Sequence, residues 1–186
     1  MLQQLLETTL RQTMNRLVKP VLHPAIPVSF QRRVIRQAYR SSIPPRGTRF
    51  QGASPGGVPA TRTSFGQGLR GTVLYLHGGG YIIGSSSTHR GITGHLAKTS
   101  GCSVVTPDYR LAPENPFPAA LDDAEACWNG LLGEGFKPEQ IAVAGDSAGG
   151  GLSIALAMRL RDKGLPVPAS LTVFSPWVDL TQEQLY

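Results

Sequence analysis

The chain has 186 residues, enough for one domain whose core needs neither disulfides nor a metal. With 40% hydrophobic and 16% charged residues, it is not a disordered polypeptide. The net charge of +6 is unevenly divided: residues 1–70 carry 11 Lys/Arg against one acid, Glu7, whereas residues 71–186 carry 7 against 11 acids. A basic arm can face nucleic acid, anionic lipid or an acidic partner. No basic block interleaved with aromatics follows a nucleic-acid module, so a solvated arginine face is expected and no nucleic-acid partner. Cys102 and Cys127 form no C-x-x-C and no His/Cys ligand spacing. That excludes a disulfide scaffold and a zinc finger and points to a reducing, cytoplasmic compartment. No apolar run approaches the roughly 18 residues of a membrane span. The N-terminus lacks the apolar core of a secretory signal; its acid-poor, Arg-containing start leaves a mitochondrial transit peptide as the alternative.

In chain order, Leu2, Leu5, Leu6, Leu10, Leu17 and Val18 recur at helical spacing until Pro20. A second amphipathic helix is predicted over Ser29–Arg40, with Val34, Ile35, Ala38 and Tyr39 on one face and Arg32, Arg33, Arg36 and Arg40 on the other. Pro44-Pro45 and the Gly/Pro-rich stretch from Gly52 to Pro59 close this arm. Val58–Thr63 is a candidate strand. Beyond residue 70, Val73–Leu76, Val104-Val105, Ile141–Ala144 and Leu171–Phe174 are short apolar runs bounded by turn residues. Between them lie helical patterns over His89–Ser100, Ala119–Leu132 and Ala148–Lys163, the first ended by Gly101 and the last by Gly164 and Pro166. Apolar runs alternating with helices predict an α/β fold with a mostly parallel sheet covered on both faces.

The pattern G-x-S-x-G occurs twice. Gly52–Gly56 sits in a Gly/Pro-rich loop with no apolar strand before it and reads as a turn. Gly145-Asp146-Ser147-Ala148-Gly149 joins the Ile141–Ala144 strand to the apolar helix, which is the context of a nucleophile elbow. Such an elbow strains the serine backbone, and Gly145 and Gly149 remove Cβ atoms that would crowd it. The Ser147 hydroxyl then stands at the positive end of a helix, with the Ala148 N–H facing the same space. His77-Gly78-Gly79-Gly80-Tyr81 directly follows the Val73–Leu76 strand. It lacks the residues of a phosphate loop and reads as an oxyanion hole, with Gly78 and Gly79 donating beside Ala148. His77 reads as a brace for this loop and not as a base.

HGGGY, the run PDYRLAPENPFPAALDDA (107–124), AGDSAGGGL (144–152) and SPWVDLT (175–181) together resemble the hormone-sensitive-lipase-like family of α/β-hydrolases. The resemblance covers at least Val58 to Thr181. It implies carboxylic ester hydrolysis, on a small-molecule ester, with no metal or organic cofactor. It further implies Ser147 as nucleophile, Gly78, Gly79 and Ala148 as oxyanion donors, and a supporting role for His77, Gly145, Asp146 and Gly149. Asp108, Arg110 and Glu114 are expected to brace the loop after a strand. Residues 1–45 resemble the family's cap segment, and 46–186 part of its catalytic domain.

In the family's order the triad acid and base follow the serine. Here His23, His77, His89 and His95 all precede Ser147, and the later carboxylates are Asp162, Asp179 and Glu183. The expectation is therefore a fold incomplete at its C-terminus, with the triad Asp and His missing and little turnover by the chain alone. An apolar Leu171–Phe174 edge is further expected to favour self-association. The alternative function is a non-catalytic small-molecule-binding or interaction protein that keeps the loop as a pocket.

Overall fold

The computed structural model describes residues 19–38, 42–67 and 69–181, with isolated positions 8, 12 and 16. The helix expected over Leu2–Val18 lies almost wholly outside these residues, as do Tyr39, Arg40 and Glu183. Helix α1 spans Val28–Ala38 and buries Gln31 and Ile35, one turn apart. Val34 is half-buried, while Ala38, Arg33 and Arg36 are exposed. The inward face thus runs through Gln31 and Ile35 and does not extend to Ala38.

Two strands precede the alternating region. Strand β1, Arg49–Ala53, pairs antiparallel with β2, Ala60–Ser64. β1, which runs into the Gly/Pro-rich stretch at Gly52 and Ala53, has no counterpart in the sequence reading because it is a largely exposed strand without apolar alternation. The first G-x-S-x-G starts on the last two residues of β1, which is not an apolar strand, and passes into a 3-10 turn at Pro55–Gly57. Strand β3 spans Thr72–Leu76, helix α2 Arg90–Ser100, strand β4 Ser103–Pro107, helix α3 Ala119–Gly133, strand β5 Ile141–Asp146, helix α4 Ala148–Asp162 and strand β6 Ser170–Phe174. From residue 70 onward, each periodic or apolar run found in the sequence falls on one of these elements.

The sheet order is β1-β2-β4-β3-β5-β6. β4, β3, β5 and β6 run parallel, and β2 joins β4 antiparallel. Every residue of β3 and of β4 is buried, as expected of parallel strands covered on both faces. On one face Leu74, Leu76, Val105, Ile141 and Val143 pack against Trp128 and Leu131 of α3 and Leu152, Leu156 and Leu160 of α4. On the other, Val73, Tyr75, Val104 and Ala144 pack with Ala97 of α2. β6 forms the far edge and leaves Leu171 and Phe174 exposed. No helix among the described residues is long and apolar enough to cross a membrane.

The sheet ends at β3 and β5 position everything at the site, so the packing of α4 against them matters most. Leu156 is fully buried and Met158, on the same helix, is 49% exposed. Leu156→Ala is expected to lower the unfolding free energy by about 2–5 kcal/mol. Met158→Ala is expected to change it by less than about 1 kcal/mol. Urea denaturation of the two variants checks the contrast.

Candidate active site

Strand β5 passes into helix α4 through a single residue, Ser147, whose backbone sits at φ 51° and ψ −121°. A non-glycine residue held at positive φ costs of order 1–3 kcal/mol and persists only where its surroundings over-determine it. They do so here. The Ser147 N–H donates to the Phe174 carbonyl at 2.9 Å, and the Ser147 carbonyl accepts from Gly151 N at 3.1 Å and Trp177 N at 2.9 Å. The residue is exposed, and its hydroxyl makes no cap to the helix.

The flanking glycines act differently from the sequence reading. A Cβ on Gly149 would strike the Leu76 and His77 carbonyls, and one on Gly145 would strike Gly149 and Leu76. What they make room for is the backbone of β3, not the serine side chain. The turn can therefore lie flush on the end of β3, beside the glycine loop.

Asp146 joins the two segments. Its Oδ1 accepts from the Tyr75 hydroxyl at 2.8 Å and from Gly78 N at 3.0 Å, and stands 3.4 Å from His89 Nε2. Burial works against its ionisation, but the His89 hydrogen bond and charge, with the Tyr75 and Gly78 hydrogen bonds, outweigh it and hold the carboxyl below its ordinary range. This corrects the place of Gly78. Its N–H is committed to Asp146, and a Cβ there would strike that carboxylate. By contrast, no hydrogen-bond partner of the Gly79, Gly80 or Ala148 N–H is found among the described residues. The sequence does not separate Gly78 from Gly80, because three adjacent glycines look alike there. Only the long-range bond from Asp146, 68 residues away, separates them.

His77 lies under this loop and is fully buried. Its Nδ1 is 2.9 Å from the Gly78 carbonyl, its ring stacks on Tyr109 at 4.2 Å, and the Tyr109 hydroxyl donates to the His77 carbonyl at 2.6 Å. Burial lowers its pKa to about 4, despite the opposing bond to Gly78. A neutral, enclosed imidazole of this kind braces a loop. His89 is buried beside Asp146, with Nδ1 near Ser85 O and Thr88 Oγ1. His95 and His23 are exposed. None of the four imidazoles hydrogen-bonds the Ser147 hydroxyl. Asp162 is exposed and paired with Arg161, and Asp179 accepts from Thr181 N. Neither carboxylate is brought to the serine through a histidine. Among the described residues no group of three His, Cys, Asp or Glu could hold a metal ion.

The loop after β4 is braced as expected. Asp108 accepts from Ser86 N and Oγ, at 2.6 and 3.0 Å. Arg110 forks onto Asp123, which also accepts from the Arg110 N–H. Asp123 is thus a buried loop anchor and not simply a helix-start charge; Asp122 pairs with Arg159. Glu114 pairs with Arg32 of α1, so Arg32 leaves the solvated arginine face to which the sequence assigns it. An apolar cavity of about 370 Å³ opens beside this loop, with Tyr81, Phe117, Leu121, Ile154, Met158 and Trp177 in its lining.

A strained serine between a parallel strand and a helix, beside a glycine loop, is an α/β-hydrolase arrangement, and the comparisons agree. The profile of the α/β-hydrolase fold family matches residues 73–186, and the chain belongs to that family. The chain is 47% identical over 112 residues to an acetyl-hydrolase of Streptomyces hygroscopicus, covering 60% of this chain and 38% of that protein. It is 39% identical over 155 residues to the esterase LipU of Mycobacterium tuberculosis, covering 81% of this chain and 52% of that protein. A crystal structure of an esterase from the bacterial hormone-sensitive lipase family superposes with a TM-score of 0.83 at 39% identity, covering 92% of this chain and 58% of that one. Its branch is therefore the hormone-sensitive-lipase-like one. The chain spans about half the length, or less, of the curated relatives it matches.

The depressed pKa of His77 has a stability consequence. As pH falls below 6.5 the unfolded chain takes the proton first, while the folded chain resists until about pH 4. Stability is therefore expected to fall across that window and then level. Urea midpoints from pH 7 to pH 4 should decline for the native sequence and decline less steeply for His77→Gln.

Proposed function

We propose that this chain carries the nucleophile and oxyanion elements of a carboxylic ester hydrolase. The exposed Ser147 hydroxyl attacks the ester carbonyl. The amides of Ala148, Gly79 and Gly80 receive the charge that develops on its oxygen. The observation that carries this reading is the juxtaposition itself: a strained serine at the N-terminus of α4, next to N–H groups without hydrogen-bond partners. Backbone donors fixed before the reaction stabilise an oxyanion without reorganising, and the helix N-terminus adds a positive field. The alcohol departs as the tetrahedral intermediate collapses, leaving an acyl group on Ser147 for water to remove. Asp146 and His77 support the loop, and Gly145 and Gly149 allow the turn. No metal or organic cofactor takes part.

The relatives' names, acetyl-hydrolase and esterase, together with the apolar cavity, support uncharged esters of short acyl groups as substrates. Residues 1–45 would serve as a cap segment and 46–186 as the catalytic part. Ser147 also needs a group to take its proton. No imidazole or carboxylate among the described residues hydrogen-bonds the Ser147 hydroxyl, and on this reading the base comes from outside them. The same fact favours a second reading, in which these residues alone bind an ester without turning it over.

p-Nitrophenyl acetate separates the two. An acetyl adduct on Ser147, seen by peptide mass mapping and absent from Ser147→Ala, is the expected outcome, formed slowly for want of a base. Absence of any adduct on the folded native sequence would leave the binding reading in its place.

A further inference from the structure

Arg32 stands apart from the other arginines of α1. Arg33 and Arg36 are exposed, whereas the Arg32 side chain is 26% exposed and reaches two loops more than 45 residues away along the chain. Its Nε donates to the Ile82 carbonyl at 2.8 Å. Nη2 donates to the Ala112 carbonyl at 2.9 Å and to Glu114 Oε2 at 2.8 Å, and Nη1 donates to Glu114 Oε1 at 2.9 Å. The two loops are also joined directly, Ala112 N to Tyr81 O at 2.8 Å.

Ile82 is the far end of the glycine turn. Gly79 O accepts from Ile82 N at 3.1 Å and Ile83 N at 2.9 Å, which closes the turn. At its near end the turn is fixed by Gly78 N on Asp146. The Gly79 and Gly80 amides therefore lie between two anchors. One is a carboxylate from the serine turn, and the other is a guanidinium from the N-terminal helix.

We propose that Arg32 is a positioning residue: by holding the Ile82 and Ala112 carbonyls together on one guanidinium, helix α1 sets the glycine turn that lies beside the serine turn. The link from turn to chemistry rests on the reading of the Gly79 and Gly80 amides as oxyanion donors; the anchoring itself does not. The fork is what the arrangement requires. Three nitrogens in one plane serve two carbonyls and a carboxylate at once, and a lysine ammonium cannot reproduce that geometry. The Arg32 hydrogen bond holds the Glu114 carboxyl below its ordinary range, so the carboxylate that receives the fork is ionised at neutral pH.

Hydrogen exchange on the full chain tests this, comparing the native sequence with Arg32→Ala, Arg32→Lys and Glu114→Gln. Arg32→Ala is expected to speed exchange about tenfold at 79–83 and 111–115, with β3 and β5 unchanged. Arg32→Lys should fail to restore it, and Glu114→Gln, which leaves both carbonyl bonds in place, should affect mainly 111–115. The Gly79 and Gly80 amide resonances should shift in Arg32→Ala. Acetylation of Ser147 by p-nitrophenyl acetate should slow about tenfold at saturating ester, with the half-saturating concentration little changed. A uniform rise in exchange across the sheet would make Arg32 a stability staple and overturn the proposal, as would unchanged exchange at 79–83 or full rescue by lysine. If the native sequence acquires no acetyl group yet the local exchange pattern holds, the hydrolase reading fails and the positioning of the turn stands.

Discussion

Where β5 turns into α4, Gly145 and Gly149 bring backbone against backbone, with the Leu76 and His77 carbonyls at the end of β3 filling the space a side chain would need. This close approach fixes the position of Ser147. Its φ of 51° is held by hydrogen bonds to Phe174, Gly151 and Trp177. It also sets the distance from the serine turn to the glycine loop, because that loop begins at the residue following β3. A single methyl group at the wrong position would separate the two halves of the site.

Charge then secures what packing brings together. Asp146 is the residue before the serine, so its carboxylate travels with the turn. By accepting the Gly78 N–H it ties the start of the loop to the turn, and Tyr75 and His89 keep it ionised in a half-buried setting. Arg32 does the equivalent at the far end of the loop. Among the described residues the amides between these anchors have no hydrogen-bond partner, which the proposed oxyanion role requires, since donors already satisfied cannot turn to a substrate. The strain at Ser147 is a cost to folding, offset by the buried strands β3, β4 and β5 and the core beneath α3 and α4.

Much of this was legible in the residues because it is written in local pattern. The strand before Ser147 and the apolar helix after it marked the second G-x-S-x-G as a strand-to-helix elbow, which the structure has there, and the observed α3 and α4 end within a residue of the periodic runs. The brace formed by Asp108, Arg110 and Glu114 was expected from the family resemblance of the run 107–124. What escaped was long-range pairing. Periodicity placed Arg32 on a polar face but carried no sign of Ile82 or Glu114, 50 and 82 residues further on. The same limit made Gly78 look like a donor equivalent to Gly79. β1 escaped for another reason: an exposed edge strand has no buried face to impose an alternating pattern on its sequence.

The most direct test of the account is the stability of Gly149→Ala beside a control at Gly133, also helical but with open space around its Cα. Helix propensity alone favours alanine over glycine by about 1 kcal/mol at interior positions. Gly133→Ala is expected to be neutral or stabilising by up to about that amount. Gly149→Ala is expected to reverse the sign and destabilise the fold by about 1–3 kcal/mol, the order that overpacking costs, because backbone carbonyls cannot move aside. A Gly149→Ala variant as stable as the native sequence, by urea denaturation at neutral pH, would contradict the claim that this close approach builds the site.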